Sequence, residues 1–233
     1  MRPLAAKLAF GSGRLLAAYG QWVVRPARTQ MVGLSGWARP AIGACWHEGG
    51  ILGLAIHEHH RDLFPGLTFV PPGLIGNAMR GWLAGHGGMT PAELPPDRTG
   101  NPQATLKQMA RALRAGQDVF VAVDGPHGPA RVVRPGAVWL ARLSDRPIVP
   151  VGFAAWPAIR WPKWDRHVLP LPGARVAAVY GAPWNVAREA NLDQATAILA
   201  SKLEQLNHCA WQMIGRRLPG WRTQPPLPRG THD

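Results

Sequence analysis

Short apolar runs bounded by glycine and proline alternate along the chain with segments of helical periodicity. The clearest runs are 119–123, 148–153 and 175–180, which are rich in Val, Ile and Ala. Runs of this length without polar alternation are typical of inner strands covered on both faces of a sheet. A shorter run at 41–46 has the same character. Helical segments precede the strands at 119 and 148, and this alternation predicts an α/β domain.

Helix-capping residues mark where several of these helical segments begin and end. Asn101-Pro102 places a capping side chain before a proline in the first turn, and Gly116 follows the last periodic residue. A small helix is predicted over 135–143. Asn191 with Gln194 forms a capping box at the start of a final helix. The segment 64–96 is rich in glycine and proline and shows no clear periodicity, so it is predicted to be irregular, and 154–173 is predicted to be an ordered loop.

The N-terminal segment 4–24 is apolar except for one polar stripe. Lys7, Arg14 and Gln21 recur at intervals of seven residues, and Arg25 and Arg28 continue the stripe. On a helix this pattern gives a narrow basic face and a wide apolar face, which favours a helix lying in a membrane interface. A helix packed on the domain core is the alternative.

Charge changes this picture by indicating the kind of partner. The 233 residues carry 26 Lys and Arg against 13 Asp and Glu, a formal net charge of +13. The excess is concentrated at both ends of the chain, which suits a protein on an anionic membrane surface. Charge alone would also fit nucleic acid, but no recognised binding module is present, and no nucleic-acid partner is expected. The two cysteines are too few for a disulfide framework.

The residues around the strand at 119–123 carry a family resemblance. Asp124-Gly125-Pro126 begins an Asp-Gly-Pro-x-Gly-Pro sequence, and Pro-Ile-Val-Pro-Val follows at 147–151. Together with Trp46-His47, Trp164-Asp165-Arg166 and Leu169-Pro170, this resembles a bacterial family of unknown function within the lysophospholipid acyltransferase superfamily. The resemblance covers residues 41–186. It implies a single glycerol-3-phosphate-acyltransferase-like domain with a mixed, mostly parallel sheet flanked by helices.

The resemblance also implies roles for particular residues. His47 corresponds to the general base, and Asp124 is the second candidate catalytic residue. The implied acceptor-binding residues are Gly125, His127, Arg131 and Arg98. The superfamily places an acid five residues after its histidine, and here that position is Leu52. A carboxylate from elsewhere is therefore required, and the candidates are Asp124, Glu48, Glu58 and Asp62.

A second histidine offers an alternative catalytic pair. His57 and Asp62 have the His-x-x-x-x-Asp spacing, although they lie downstream of the strand that delivers the superfamily's base. The cluster His57-Glu58-His59-His60 could hold a metal ion, but adjacent histidines point in different directions. No metal site and no cofactor are therefore expected.

The resemblance implies an acyltransferase, and the basic amphipathic N-terminal segment adds the expectation that it is membrane-associated. The acyl donor would be a thioester, acyl-CoA or acyl carrier protein, and the acceptor a lysophospholipid or a lipid-A-like hydroxyl. The protein would lie peripherally on the cytoplasmic face of the inner membrane. Residues 1–40 would form the membrane-associating segment, 41–215 the catalytic domain and 216–233 a basic, proline-rich tail. The alternative is a catalytically degenerate lipid-binding protein on the same fold.

Overall fold

A mixed seven-stranded sheet forms the centre of the computed structural model, which describes residues 3–24, 28–58, 66–86, 89–93 and 102–219. The first five strands along the chain are short, with five residues or fewer each. The last two strands have thirteen residues each. Their bounds are β1 Thr29–Val32, β2 Ile42–Cys45, β3 Gly66–Val70, β4 Met89–Glu93, β5 Asp118–Ala122, β6 Ile148–Arg160 and β7 Val168–Tyr180.

The strand order is β1-β7-β6-β2-β5-β3-β4. All neighbouring strands pair in parallel except β6 and β7, which form an antiparallel hairpin. In the middle of the sheet, Cys45 at the end of β2 is paired with Ala122 at the end of β5. The carboxyl ends of these two strands therefore meet at one edge, where open α/β sheets place their ligands.

Helices cover both faces of the sheet and bury its apolar residues. Residues of α4, α5 and α6 pack with β2 and β5 in one core, whereas residues of α1, α2 and α3 pack with β6 and β7 in another. The helix bounds are α1 Pro3–Val23, α2 Gly50–Glu58, α3 Gly73–His86, α4 Pro102–Arg114, α5 Gly136–Ser144 and α6 Leu192–Met213. The α/β class predicted from alternating runs is thus confirmed, and so is the mostly parallel sheet.

Two predictions of irregular structure were wrong. Within 64–96 the chain forms β3, α3 and β4. The hydrophobic periodicity of α3 is weak because glycine stands at positions where α3 packs closely on α1. A side chain at Gly81, for example, would overlap the backbone of Phe10 on α1. Most of 154–173 belongs to β6 and β7 rather than to a loop. Pro157 is accommodated at a shift in the pairing register between Trp156 and Ala158, where the regular ladder is interrupted.

The N-terminal helix divides its apolar residues between two surroundings. Gly13, Ala17, Gly20 and Val23 are buried, and Gly13 lies against Ala78 on α3. The larger apolar side chains on its other face are exposed: Leu4, Leu8, Leu15 and Trp22. Packing on the core and an exposed apolar face are therefore both present. Among the helices formed by the described residues, none combines the length and apolar character needed to cross a membrane.

Two aspartates join β2 to β5, one at each end of the strands. The Asp118 carboxylate accepts a hydrogen bond from the Ala41 backbone N–H at 2.8 Å, just before β2. The Asp124 carboxylate accepts one from the His47 N–H at 2.8 Å, just after it. Both aspartates are buried. The position of β2 against β5 is thus fixed at both ends.

Gly13→Ala should destabilise the fold, because its methyl group would meet the Ala78 carbonyl where α1 crosses α3. Overpacking of this kind costs about 1–3 kcal/mol of unfolding free energy, measurable by urea denaturation. Gly11→Ala is the matched control, since nothing lies within 4 Å of its added Cβ. The control should be neutral or stabilising by about 0.5–1 kcal/mol. Equal stability of the two variants would contradict the packing of α1 on α3.

Candidate functional site

The candidate site lies where β2 and β5 end side by side. The chain leaves β2 through Trp46 and enters a short 3₁₀ turn at His47–Gly49. It leaves β5 through Val123 into the turn that contains Asp124 and Gly125. Trp46 and Val123 are buried core residues, so they anchor the two turns to the sheet. His47 and Asp124 are consequently held at the same edge.

Asp124 organises this edge through its backbone contacts. One carboxylate oxygen accepts the His47 N–H at 2.8 Å and the other accepts the Arg131 N–H at 2.8 Å. Arg131 itself has a left-handed φ of 59°. Burial raises the pKa of Asp124, and the backbone hydrogen bonds from Arg131 and His47 oppose that effect. The carboxylate therefore positions backbone and does not contact the imidazole of His47 through a hydrogen bond in the described structure.

Gly125 allows the imidazole of His47 to lie over the turn after β5. A Cβ atom at Gly125 would stand 2.8 Å from Cδ2 of His47, closer than side chains approach one another. The His47 side chain is 27% exposed, but its Nδ1 atom is buried. The accessible part of the ring is therefore on the side away from Nδ1.

The β6–β7 hairpin brings a carboxylate and a second histidine to His47. The loop that joins the two strands is closed by a hydrogen bond from Trp161 N–H to the His167 carbonyl, at 3.0 Å. Asp165 Oδ2 lies 3.2 Å from His47 Nδ1 and 3.3 Å from His167 Nε2. Arg166 lies between Asp165 and His167 in the chain and has a left-handed φ of 44°. The side chains of Asp165 and His167 contact each other on either side of it. We call His47, Asp165 and His167 the edge triad.

The surroundings of the edge triad are aromatic and weakly solvated. The Trp164 ring centroid lies 5.1 Å from that of His47, and the His167 centroid lies 4.7 Å from it. Burial, together with the neighbouring His47, lowers the pKa of His167 to about 4, although Asp165 opposes the shift. His167 is therefore neutral at physiological pH. Burial, with Asp124 and Glu48 nearby, raises the pKa of Cys45 to about 12, so its thiol stays protonated.

A network of two arginines and two glutamates stands beside the edge triad. The Glu48 carboxylate accepts from Arg131 at 2.5 Å and from Arg160 at 2.9 Å, and Arg131 also contacts Glu204 at 2.7 Å. Only 6% of the Glu48 side chain and 9% of the Arg131 side chain are exposed. Removing Glu48 would take a carboxylate partner from both arginines at once. The network links the turn after β2 to β6 and to α6.

The structure brings together only some of the predicted site residues. His47, Asp124, Gly125 and Arg131 meet at the sheet edge, and His127 is exposed on the adjoining turn. Arg131 is engaged by carboxylates rather than presented to solvent. The roles of these residues in binding and catalysis stay predictions.

The alternative pair cannot be assembled from the described residues. His57 is buried on α2, with its ring edge-to-face against Phe120 at 5.5 Å. Asp62 and Arg98 lie outside the described residues, as does the Glu58 side chain. Leu52, at the superfamily's acid position, is fully buried in the core between α1 and β7. A carboxylate at position 52 would be buried in that apolar core.

The carboxylate that approaches His47 was not among the four candidates drawn from the sequence. Asp165 is separated from His47 by more than a hundred residues, and local spacing cannot show such a contact. A signal was present, because Trp164-Asp165-Arg166 belongs to the family resemblance. His167 carried no such signal. Two surface clefts of about 290 and 250 Å³ lie elsewhere, and neither is lined by the edge triad.

Comparisons with known proteins support the fold. No family model matches the chain. RP090, an uncharacterized protein of Rickettsia prowazekii (strain Madrid E), is 23% identical over 142 residues, which are 61% of this chain and 62% of that protein. The chain thus spans less than two thirds of that relative's length.

Among solved structures, the fold is similar to that of the 1-acyl-sn-glycerophosphate (LPA) acyltransferase PlsC from Thermotoga maritima. The TM-score is 0.51 at 13% sequence identity, and the match covers 88% of this chain and 81% of that chain. At this identity the likeness shows a shared fold. The acyltransferase-like architecture implied by the sequence resemblance is therefore confirmed as a fold.

Asp124→Ala should destabilise the protein, because two backbone N–H groups at the sheet edge would lose their acceptor. An unsatisfied buried group costs about 1–3 kcal/mol, so the unfolding free energy in urea should fall by more than 1 kcal/mol. Asp193→Ala, at an exposed position in the first turn of α6, is the control and should cost less than about 1 kcal/mol. Equal losses would contradict a structural role for Asp124.

Proposed function

We propose that the protein is a membrane-associated acyltransferase with His47 as the general base. It moves an acyl chain from a thioester, acyl-CoA or acyl carrier protein, to the hydroxyl of a lysophospholipid or a lipid-A-like acceptor. The shared fold makes this reaction class a reasonable starting point. The observation that carries the proposal is the placement of His47 beside Asp165 at the carboxyl edge of the sheet.

The two nitrogens of His47 have different surroundings. Nδ1 is buried and faces Asp165 Oδ2 at 3.2 Å, whereas part of the ring remains accessible. A carboxylate beside Nδ1 favours the tautomer that carries its proton there. The lone pair is then on Nε2. A base needs this arrangement to accept a proton from a substrate hydroxyl.

The reaction follows from that tautomer. Nε2 accepts the proton of the acceptor hydroxyl while its oxygen attacks the thioester carbonyl carbon. The tetrahedral intermediate collapses, the carbon–sulfur bond breaks, and the imidazolium returns the proton to the departing thiolate. An ester and a free thiol result, with no redox change. Asp165 balances the imidazolium charge while the proton resides on His47.

Asp165 thus acts as a positioning residue for His47. The superfamily's local acid is replaced here by one that arrives on the β6–β7 hairpin. The separation of 3.2 Å lacks the alignment of a hydrogen bond. Contacts of catalytic groups are often loose without substrate and tighten in the complex, so this geometry is compatible with the role.

The membrane-facing surface in this proposal is the exposed side of α1. Leu4, Leu8, Leu15 and Trp22 follow one side of the helix, and all four are more than half exposed. Lys7 and Arg14 are exposed beside them. An apolar stripe flanked by basic residues suits an interface with anionic lipid. The inner membrane's cytoplasmic face remains the proposed location.

Acceptor binding is proposed at the turn after β5. Gly125 leaves room beside the His47 ring, and His127 is exposed on the same turn. Arg131 is paired with Glu48 and Glu204, so it supports the site through the buried network. It would contact the acceptor directly only if the acceptor displaced one of these glutamates. An open site at a sheet edge also fits a lipid substrate, because the membrane itself can supply part of the binding surface.

His47→Ala should lower acyl transfer by about 10²–10⁴-fold, the usual contribution of a general base. Asp165→Asn should lower kcat and move the acidic limb of the kcat/KM profile to lower pH, because the imidazolium would lose its counter-charge. A merely structural Asp165 would not change that limb. Transfer is measured with radiolabelled acyl-CoA or acyl carrier protein and a panel of lysophospholipids in mixed vesicles.

His208→Ala is the matched control, since His208 is exposed on α6 away from the edge triad. Transfer that survives His47→Ala but is lost in His57→Ala would assign the base to the other histidine. Vesicle binding by a wild-type protein that transfers no acyl group to any acceptor would favour the lipid-binding alternative.

The double variant Leu8→Glu/Leu15→Glu should bind anionic vesicles at least about tenfold more weakly, because two leucines would no longer enter the interface. Substitution is preferable to deletion, since α1 also supplies Ala17 to the core. Ile198→Glu, at a 46% exposed position on α6, controls for added charge. Vesicle flotation and melting temperature are measured together. Unchanged flotation of a folded double variant would contradict the assignment of this face.

A further inference from the structure

We propose that the edge triad of His47, Asp165 and His167 is a binding site for a divalent transition-metal ion of the Zn²⁺ class. The three side chains come from two distant parts of the chain, the turn after β2 and the β6–β7 loop. One ligand atom from each lies within 4.8 Å of the other two. The site departs from the sequence-based expectation that the protein binds no metal.

The distances within the edge triad fit tetrahedral coordination. Zn²⁺ binds imidazole nitrogen and carboxylate oxygen at about 2.0–2.2 Å, so two ligand atoms of one tetrahedron stand about 3.3–3.6 Å apart. Asp165 Oδ2 lies 3.2 Å from His47 Nδ1 and 3.3 Å from His167 Nε2. Small side-chain rotations would bring the two nitrogens to the same separation.

The pattern of unsatisfied atoms is a second observation. Asp165 is 7% exposed, and its Oδ1 makes no hydrogen bond to any described residue. The buried Nδ1 of His47 makes none either, despite its nearness to the carboxylate. Buried polar atoms usually have partners, so such groups require an explanation. A cation held by Asp165 Oδ2 would take the lone pair of His47 Nδ1, and coordination through both carboxylate oxygens would engage Oδ1 as well.

The ligand types select the kind of ion. Two imidazoles and one carboxylate suit Zn²⁺ and its first-row neighbours, whereas Mg²⁺ and Ca²⁺ prefer sites built from oxygen. Three protein ligands leave a fourth position for water or an inhibitor. The partial exposure of both histidines, 27% and 24%, provides access for the ion.

Metal binding would oppose base catalysis, a consequence that rests on the proposed function. Nδ1 of His47 would give its lone pair to the metal, so the ring's proton would stay on Nε2. Nε2 could then no longer accept a proton from a hydroxyl. Zn²⁺ would therefore inhibit acyl transfer reversibly, and the site would act as a regulatory one.

Direct binding tests the site independently of activity. Full-length protein is stripped with a chelator, and Zn²⁺ binding is measured by equilibrium dialysis. Co²⁺ serves as a spectroscopic probe, because a four-coordinate site gives intense visible absorption. One ion should bind per chain, and excess Mg²⁺ should not displace it. His167→Gln should weaken Zn²⁺ binding by more than the roughly 10–100-fold cost of losing an outer-shell partner.

The controls separate this site from other histidines. His208→Gln and the double variant His59→Gln/His60→Gln should bind Zn²⁺ as the wild type does. Asp165→Asn should weaken binding as His167→Gln does, and circular dichroism checks that each variant is folded. Absence of a bound ion, or binding kept in folded His167→Gln and lost in His59→Gln/His60→Gln, would overturn the proposal.

Activity then tests regulation. Zn²⁺ should inhibit wild-type transfer, and a chelator should restore it. His167→Gln should require a higher Zn²⁺ concentration for the same inhibition. Zn²⁺ binding without any acyl transfer would refute the proposed function and leave the metal site standing. Acyl transfer without Zn²⁺ binding would refute the metal site and leave the proposed function standing.

Discussion

The carboxylate of Asp124 is the contact on which the candidate site depends. By accepting the N–H groups of His47 and Arg131, it joins the end of β2 to the turn after β5. Its burial makes those hydrogen bonds necessary, because neither the acceptor nor the donors have water as a ready substitute. The backbone of His47 is therefore held at the edge of the sheet, and the absence of a side chain at Gly125 leaves space for the His47 ring.

The β6–β7 hairpin supplies what the neighbourhood of His47 lacks. Two strands of thirteen residues run past the paired part of β2 and return with Asp165 and His167 in their connecting loop. The acid next to the proposed base thus depends on tertiary structure instead of local spacing. Because Leu52 is buried in the apolar core, a carboxylate at that position would lose its hydration. The same loop brings His167 to His47 and Asp165, which completes the edge triad that we propose as a metal site.

The basic residues of this chain have two different surroundings: some form buried ion pairs and others are exposed to solvent. Arg131 and Arg160 neutralise Glu48 and help hold the turn after His47, so these charges stabilise the site. Lys7 and Arg14 stay exposed beside the apolar face of α1. Buried pairs carry large desolvation costs and contribute mainly when complete, whereas exposed cations respond to an anionic surface and to salt. A net charge by itself cannot distinguish these two uses.

The sequence alone determined the α/β class, the strands at β2 and β5, and the helices α4, α5 and α6. These elements follow from periodicity and caps, which are local properties. His47 and Asp124 were named as candidate site residues from the family resemblance, and the pairing of β2 with β5 brings them to one edge. The sequence did not reveal β3, α3 and β4, because glycines that serve close helix packing weaken the periodic signal. Only the tertiary structure decided that Asp124 binds backbone, that Arg131 is held by Glu48, and that Asp165 and His167 face His47. Each of these contacts joins residues whose proximity depends on the sheet order and the hairpin's path, which no local pattern encodes.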